Sequence, residues 1–118
     1  MYICRAHLLA TFFVGCFVAN GAFAAEFSRD VTIDKMLSIA EARPAQQQSS
    51  NTIRIYVNVA NWGTSSCRTD AADLRASDKH LLATLLAAWT AGKQVTIAVD
   101  DTLRPVDTVC QVTWLSAR

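Results

Sequence analysis

Apolar and polar residues alternate most clearly in the segment that begins at Thr52. Four β-branched residues fall on one side and three polar or aromatic residues on the other: Ile53, Ile55, Val57 and Val59 against Arg54, Tyr56 and Asn58. A period of two with β-branched residues predicts a strand with one buried face. The next residues, 63–75, are rich in turn formers, and a short strand around Cys67 stays open as an alternative.

The strongest helical pattern lies between Ser77 and Ala91. Ser77 is a suitable N-cap and Asp78 suits the positive start of a helix, whereas Gly92 and Lys93 suit its end. Five large apolar residues recur at helical spacing: Leu81, Leu82, Leu85, Leu86 and Trp89. This stripe is wide enough to be buried against a sheet.

Two further strands are predicted after this helix. Val95, Ile97 and Val99 alternate inward in the first. In the second, "TVCQVTWL", Cys110, Val112 and Trp114 share one face. If that face is the inner one, Cys110 lies in the core, and Trp89 and Trp114 are both interpreted as core residues.

The segment 25–51 reads as an amphipathic helix followed by a polar linker. Four apolar residues have helical spacing: Ile33, Met36, Leu37 and Ala40. Asp30 or Thr32 can cap such a helix and Pro44 lies beyond its end. Residues 45–51, "AQQQSSN", form the linker.

Residues 1–24 have the features of a secretory signal peptide. An apolar run from Leu8 to Ala19 precedes Ala22-Phe23-Ala24, and this small-x-small pattern predicts cleavage after Ala24. The run of about 12 residues is too short to span a bilayer as a helix, so we expect no integral membrane segment after processing. The predicted location is periplasmic or secreted. An alternative is a lipoprotein acylated at Cys16 within "FVGC".

Removal of residues 1–24 leaves 94 of the 118 residues, enough for one small domain at residues 52–118 with the segment 25–51 before it. Ten basic and ten acidic residues then remain, because Arg5 is lost. This zero net charge gives no electrostatic reason to expect nucleic acid or an anionic membrane as a partner.

Cys67 and Cys110 are the two cysteines outside the signal segment. Two cysteines in a small exported domain most often pair, because the compartment is oxidising and a small core gains from a covalent link. We therefore predict a disulfide between them.

Catalytic and metal-binding alternatives have weaker support. Cys67 and His80 could form the thiolate and base of a small hydrolase, and together with Cys110 they could supply three zinc ligands. No C-x-x-C or H-x-x-x-H spacing supports zinc. Asp100 and Asp101 are adjacent at a strand end, so their side chains diverge and do not flank one bond. We predict a protein without catalytic residues, metal or cofactor.

Aromatic residues are the remaining candidates for binding. Tyr56 lies on the polar face of its strand, and Trp62 lies beside Gly63 in a loop. Exposed aromatic rings stack on sugars or on protein partners. Tyr56 and Trp62 are therefore predicted to contact a glycan or a protein partner. For Tyr56 a half-covered strand residue is the more ordinary role, and for Trp62 a structural and a binding role are equally ordinary.

Cys67, the helix "HLLATLLAAWTAGK", the strand "QVTIAVDD" and the closing "TVCQVTWL" follow each other in an order that resembles small exported bacterial proteins of unassigned function. The arrangement is also similar to the binding subunits of pentameric AB-type toxins, which are small disulfide-bonded OB-fold barrels that bind cell-surface glycans. The resemblance covers roughly residues 53–115 and transfers no site residue.

The fold class expected from residues and resemblance together is α+β: a small twisted antiparallel sheet, open or closed as an OB-like barrel, with one main helix and one disulfide. The expected function is a non-enzymatic binding module, in one copy or as a homo-oligomer. The alternative is a structural or accessory protein of the cell envelope.

Overall fold

The computed structural model describes residues 25–58, 61–63, 65–104 and 108–118. The signal peptide predicted at residues 1–24 and the alternative acylation site at Cys16 lie outside these residues. The described elements are β1 (Glu26–Val31), β2 (Ile33–Ser38), a 3-10 segment (Pro44–Ser49), β3 (Thr52–Val57), β4 (Ala71–Arg75), α1 (Lys79–Thr90), β5 (Val95–Asp100) and β6 (Gln111–Ala117).

The strands form one six-stranded sheet in the order β1-β5-β6-β4-β3-β2. Neighbouring strands are antiparallel except for β4 and β6, which are parallel and share the register pair Asp73 and Gln111. The sheet is therefore mixed, whereas the sequence predicted an antiparallel one. The parallel pair arises because α1 links β4 to β5, and β5 then reverses into β6, which returns beside β4 in the same direction.

The two outermost strands of the sheet, β1 and β2, are consecutive in the chain and only Thr32 separates them. Val31 pairs with Val95 on β5, while Ile33 pairs with Val57 on β3. The Thr32 amide donates to Asn58 Oδ1 at 3.0 Å, and the Asn58 amide donates to the Thr32 carbonyl at 3.1 Å. One stretch of chain thus passes directly from one edge of the sheet to the other.

The prediction of an amphipathic helix within residues 25–51 is wrong, because these residues form β1, β2 and the 3-10 segment. Ile33 pairs with Val57 and Lys35 with Tyr56, so Asp34 is an extra residue in β2. This β-bulge shifts the side-chain alternation and brings Met36 to the same face as Ile33. The three-residue spacing between Ile33 and Met36 therefore arises from a bulged strand, although the same spacing is typical of a helix.

The core combines one face of the sheet, here called the inner face, with α1. The alternations predicted for β3 and β5 are confirmed over the described residues, since Ile53, Ile55, Val57, Val95, Ile97 and Val99 are all buried. Leu85 and Ala88 of α1 belong to the same apolar cluster, with Leu81 and Leu82 partly buried against it. Leu86 and Trp89 lie outside this stripe and are each 41% exposed.

The main helix begins at Lys79, with Asp78 in place of Ser77 as the N-cap. At the other end, Gly92 has a φ of 65°. Its amide donates to the Trp89 carbonyl at 3.0 Å, and the Lys93 amide donates to the Ala88 carbonyl at 2.9 Å. This pair of bonds is the Schellman arrangement, which requires a left-handed residue at the position of Gly92.

The predicted disulfide is confirmed: Cys67 and Cys110 are bonded, with their Cα atoms 5.4 Å apart. Both residues are buried in the core. The bond links the segment before β4 to the start of β6, where the Arg68 amide also donates to the Thr108 carbonyl at 2.7 Å. Within the described part of the chain, we find no helix long and apolar enough to cross a membrane.

Candidate functional site

Opposite the core, the sheet presents an outer face that is mostly polar. It contains Thr52, Arg54 and Tyr56 of β3, and Ala71, Asp73 and Arg75 of β4 lie beside them in register. Two adjoining clefts of about 230 and 330 Å³ lie where β3 begins and β4 ends. Together they are lined by Gln47, Gln48, Ser50, Asn51, Thr52, Arg75, Ser77, Arg104 and Gln111, here called the polar cleft.

The loop that forms one wall of the polar cleft is held by buried hydroxyl groups. Thr52 Oγ1 donates to the Ser49 carbonyl at 2.6 Å, and Ser49 Oγ donates to the Gln46 carbonyl at 3.0 Å. Asn51 has a φ of 56°, a left-handed conformation that asparagine tolerates better than most residues. These contacts fix the backbone from which Gln47, Gln48 and Ser50 extend into the polar cleft.

Arg75 is the side chain shared by both halves of the polar cleft, together with Gln48. Its Nε donates to Gln111 Oε1 at 2.8 Å. Arg104, on the connection between β5 and β6, donates from Nη1 to Ser66 Oγ at 3.0 Å. Both guanidinium groups are thus positioned by neutral oxygen acceptors.

A buried ion pair supports the centre of the outer face. Arg54 Nε and Nη2 each donate to a different oxygen of Asp73, both at 2.8 Å, and the Asp73 side chain is 0% exposed. The hydrogen bond to Asp73 raises the pKa of Arg54 despite the opposing effect of burial. This pair lies between Tyr56 and Arg75 on the same face and keeps β3 and β4 in register.

Tyr56, one of the two aromatic residues predicted to bind a ligand, is half-buried on the outer face. Lys35, its register partner on β2, places Nζ 4.5 Å from the centre of the ring. An ammonium group in this position makes a cation–π contact. One side of the ring is therefore occupied by Lys35.

Trp62, the other predicted binding residue, is buried in the core and only 1% exposed. Its indole Nε1 donates to the Arg68 carbonyl at 2.8 Å. The sequence placed Trp62 in an exposed loop because of the neighbouring Gly63, but the loop folds back and uses the ring as a core side chain. Because its ring is buried, Trp62 offers no stacking surface to a ligand in the folded protein.

The two tryptophans interpreted as core are instead exposed, Trp89 at 41% and Trp114 at 40%. Trp114 pairs with Ala98 while Val112 pairs with Val99, so Thr113 is an extra residue in β6. This second β-bulge turns Trp114 to the outer face, whereas strict alternation from Val112 would place it inside. For this reason, the sequence pattern did not identify Trp114 as an exposed aromatic residue of the outer face.

The catalytic alternatives do not assemble in the described residues. Cys67 Sγ is bonded to Cys110 and is not a free thiol. His80 is exposed in the first turn of α1. Asp100 Oδ1 accepts from the amide and the hydroxyl of Thr102 at 2.8 and 2.6 Å, which is a turn-stabilising role. Over the described ranges, no group of three or more His, Cys, Asp or Glu residues has a metal-binding arrangement.

Most residues of the polar cleft were not predicted from the sequence. Residues 47–51 carry several amide and hydroxyl side chains, and that composition was interpreted only as a linker. Arg75, Arg104 and Gln111 are far apart in the chain and come together only through the pairing of β4 with β6. No spacing in the sequence indicates that contact.

Fold and site together define a small disulfide-bonded α+β domain with a mixed six-stranded sheet and a polar surface cleft. Comparison with protein-family models, with curated proteins and with solved structures finds no match for this chain.

Proposed function

We propose that this chain is an exported, non-enzymatic binding module that recognises a glycan through the polar cleft on its outer sheet face. The observation that carries the proposal is the lining of the cleft, which consists of amide, hydroxyl and guanidinium side chains. Sugars present many hydroxyl groups, which such side chains bind by hydrogen bonds.

The same lining favours a glycan ligand over an apolar small molecule or a protein partner. Pockets for those ligands are lined mainly by hydrophobic and aromatic side chains, and protein interfaces depend on buried aromatic anchors. None of the residues lining the polar cleft is aliphatic or aromatic. Tyr56 lies on the same face, with Arg54 between it and Arg75 along the β3–β4 pair.

The arrangement of the strands supports an OB-like barrel. With β1 and β2 taken as one long bent strand, the sheet order becomes 1-2-3-5-4-1, with the helix between the third and fourth strands. OB-folds bind oligosaccharides and oligonucleotides on the face of strands 2 and 3 and on the loops between strands 1 and 2 and strands 4 and 5. The equivalent elements here are β3, β4 and the loops that contribute Gln48 and Arg104.

Export is supported by the signal-peptide pattern of residues 1–24 and by the Cys67–Cys110 disulfide, because disulfides persist mainly in oxidising compartments. Mass spectrometry of the protein recovered after expression with its own leader tests this part. A mature amino terminus at Ala25 supports it, an acylated Cys16 favours the lipoprotein route, and an uncleaved chain contradicts both.

A glycan array probed with the exported protein tests the proposed activity. The double variant Gln47→Ala/Gln48→Ala removes two amide side chains from the cleft, and we expect binding to fall about tenfold. Gln94→Ala, at an exposed position outside the polar cleft, is the matched control. Glycan binding that the double variant leaves unchanged contradicts the site, and the absence of any glycan ligand contradicts the function.

A second candidate, a protein partner or another copy of this chain, is favoured by Leu86 and Trp89. These residues are three positions apart on α1, so they share a helix face, and each is 41% exposed. Light scattering of the wild-type protein and of Leu86→Gln/Trp89→Gln tests this candidate. A wild-type oligomer that becomes a monomer in the double variant supports this candidate. A wild-type protein that is monomeric and binds no protein partner counts against it.

A further inference from the structure

The arginines of the described chain differ in what neutralises them. Arg54, Arg68 and Arg118 form ion pairs with Asp73, Asp70 and Asp30, respectively. Arg29 donates to the carbonyl oxygens of Asn61 and Ser28, and Arg43 donates to Ser49 Oγ; neither arginine lines the polar cleft. Arg75 and Arg104 are the pair that border one cleft and have, within the described residues, no carboxylate partner.

Donor groups of both arginines remain for a ligand. Arg75 uses Nε for Gln111, so its two terminal nitrogens have no protein acceptor among the described residues. Arg104 uses Nη1 for Ser66, and its Nε and Nη2 have no acceptor in the part of the chain that the structure describes. Gln111 Oε1 accepts from Arg75, and the side-chain amide nitrogen of Gln111 is the group that can donate to a ligand. Gln48 adds a second amide at the same cleft.

Within the described residues, no acidic side chain lines this cleft to balance the charge of the two arginines. Asp73 and Asp100 are the register partners of Gln111 on β4 and β5. Asp73 accepts from Nε and Nη2 of Arg54, and Asp100 Oδ1 accepts from Thr102. Neither carboxylate lines the cleft, whose lining carries two positive charges.

We propose that Arg75 and Arg104 bind an oxyanion carried by the ligand, so that the polar cleft selects acidic over neutral glycans. This inference rests on the proposed glycan-binding function. The planar fork of a guanidinium group matches the paired oxygens of a carboxylate, sulfate or phosphate, and such charge-assisted bonds are stronger than neutral ones. Gln48 and Gln111 donate to the remaining oxygens or to neighbouring hydroxyl groups.

Four monosaccharides that share the glucose ring test whether the acidic group or the sugar itself is recognised. They are glucose, glucuronate, glucose 6-sulfate and glucose 6-phosphate. Titration of each into the isotopically labelled exported protein is followed by NMR at the Arg75 side chain and the Gln111 amide. We expect saturable shifts with one or more of the acidic sugars at concentrations where glucose gives none. The acidic sugar that binds tightest identifies the oxyanion. Equal binding of glucose and all three acidic sugars overturns the inference.

Arg75→Gln and Arg104→Gln each remove one charge, and we expect about tenfold weaker binding of the acidic sugar. Lys93→Gln removes the same charge at an exposed position after α1 and is the matched control. Arg75→Lys retains the charge without the fork and is expected to bind with intermediate affinity. Equal losses for Lys93→Gln and Arg75→Gln indicate a general charge effect and contradict the site. Thermal melting of each variant confirms that the fold is intact.

The two proposals can fail separately. If the array finds neutral glycans in the polar cleft and no acidic sugar shifts Arg75 or Gln111, the oxyanion inference is wrong and the proposed function stands. If inorganic sulfate saturates Arg75 and Arg104 while the array finds no glycan of any charge, the oxyanion site stands and the glycan function is wrong.

Discussion

Arg54 and Asp73 face each other across β3 and β4, joined by two hydrogen bonds of 2.8 Å, with the Asp73 side chain fully buried. A buried pair of this kind contributes little net stability compared with apolar residues, but removal of one partner leaves an unpaired buried charge. The pair therefore matters most for keeping the outer face in one arrangement.

We expect Arg54→Met to lower the free energy of unfolding by about 3–5 kcal/mol, because Asp73 then has no counter-charge. The double variant Arg54→Met/Asp73→Leu should recover most of this loss. Urea denaturation of the two single variants and the double variant measures the coupling. Losses that simply add in the double variant contradict the interpretation.

A second ion pair, between Arg68 and Asp70, provides a pH-dependent contrast. Its side chains are 42% and 51% exposed, and the hydrogen bonds from Arg68 hold the pKa of Asp70 below its ordinary value of 3.8. A carboxylate with a lowered pKa in the folded state stabilises the protein above the unfolded pKa, and this contribution is lost as the pH falls through the folded pKa. Exposure limits the contribution to less than about 1 kcal/mol.

Asp70→Asn should therefore be slightly less stable than the wild type near neutral pH, and this difference should shrink as the pH falls below 3.8. Urea denaturation of both proteins across this range measures it. A difference that grows towards acid contradicts the assigned direction of the pKa shift.

Trp62 and Trp114 should contribute to stability in the opposite order to the one that their sequence context indicates. Trp62 is 1% exposed and hydrogen-bonded to the Arg68 carbonyl, whereas Trp114 is 40% exposed. We expect Trp62→Ala to cost about 3–5 kcal/mol and Trp114→Ala less than about 1 kcal/mol. Thermal melting and acrylamide quenching of tryptophan fluorescence measure both effects. Strong quenching that disappears in Trp62→Ala contradicts the burial of this ring.

The sequence predicted elements whose alternation is unbroken and failed where the chain contains an extra residue. β3 and β5 have a strict period of two, and their buried faces were predicted correctly from Ile53 to Val57 and from Val95 to Val99. The bulge at Asp34 gives β2 a spacing that imitates a helix, and the bulge at Thr113 reverses the face of Trp114. A bulge depends on the register of the partner strand, which a local pattern does not contain.

The disulfide followed from composition, since only two cysteines lie outside the predicted signal peptide, whereas the polar cleft depends on tertiary contacts. Gln48 and Arg75 meet because Thr52 pairs with Arg75 next to the 3-10 segment. Gln111 joins them through the single parallel register pair with Asp73. Long-range pairing of this kind cannot be derived from local residue spacing.

The bulge residue itself gives a prediction, because Thr113 Oγ1 is buried and has no hydrogen-bond partner among the described residues. Thr113→Val replaces the hydroxyl by a methyl group of similar size, and we expect stability to rise by about 1 kcal/mol. Thr96→Val is the matched control, because Thr96 Oγ1 donates to Asp30 at 2.6 Å, and its loss should lower stability by about 1 kcal/mol. Chemical denaturation should give opposite signs for the two variants. Destabilisation by both contradicts the unsatisfied state of Thr113.

The Cys67–Cys110 bond closes a loop with a sequence separation of 43, for which the chain-entropy model gives about 4 kcal/mol. This is a large share of the roughly 5–15 kcal/mol by which small domains are stable. We expect Cys67→Ala/Cys110→Ala to unfold at a clearly lower urea concentration, with a loss of about 2–4 kcal/mol.

Thiol labelling distinguishes this structural role from a catalytic one. The bonded sulfurs should resist labelling in the folded wild-type protein until a reductant is added, and because both cysteines are buried, reduction should be slow without denaturant. The proposed glycan binding should persist in the double cysteine variant when it is measured below the melting temperature, because neither cysteine lines the polar cleft. A fast-reacting thiol in the untreated protein, together with hydrolase activity that Cys67→Ala abolishes, would instead favour the enzyme hypothesis.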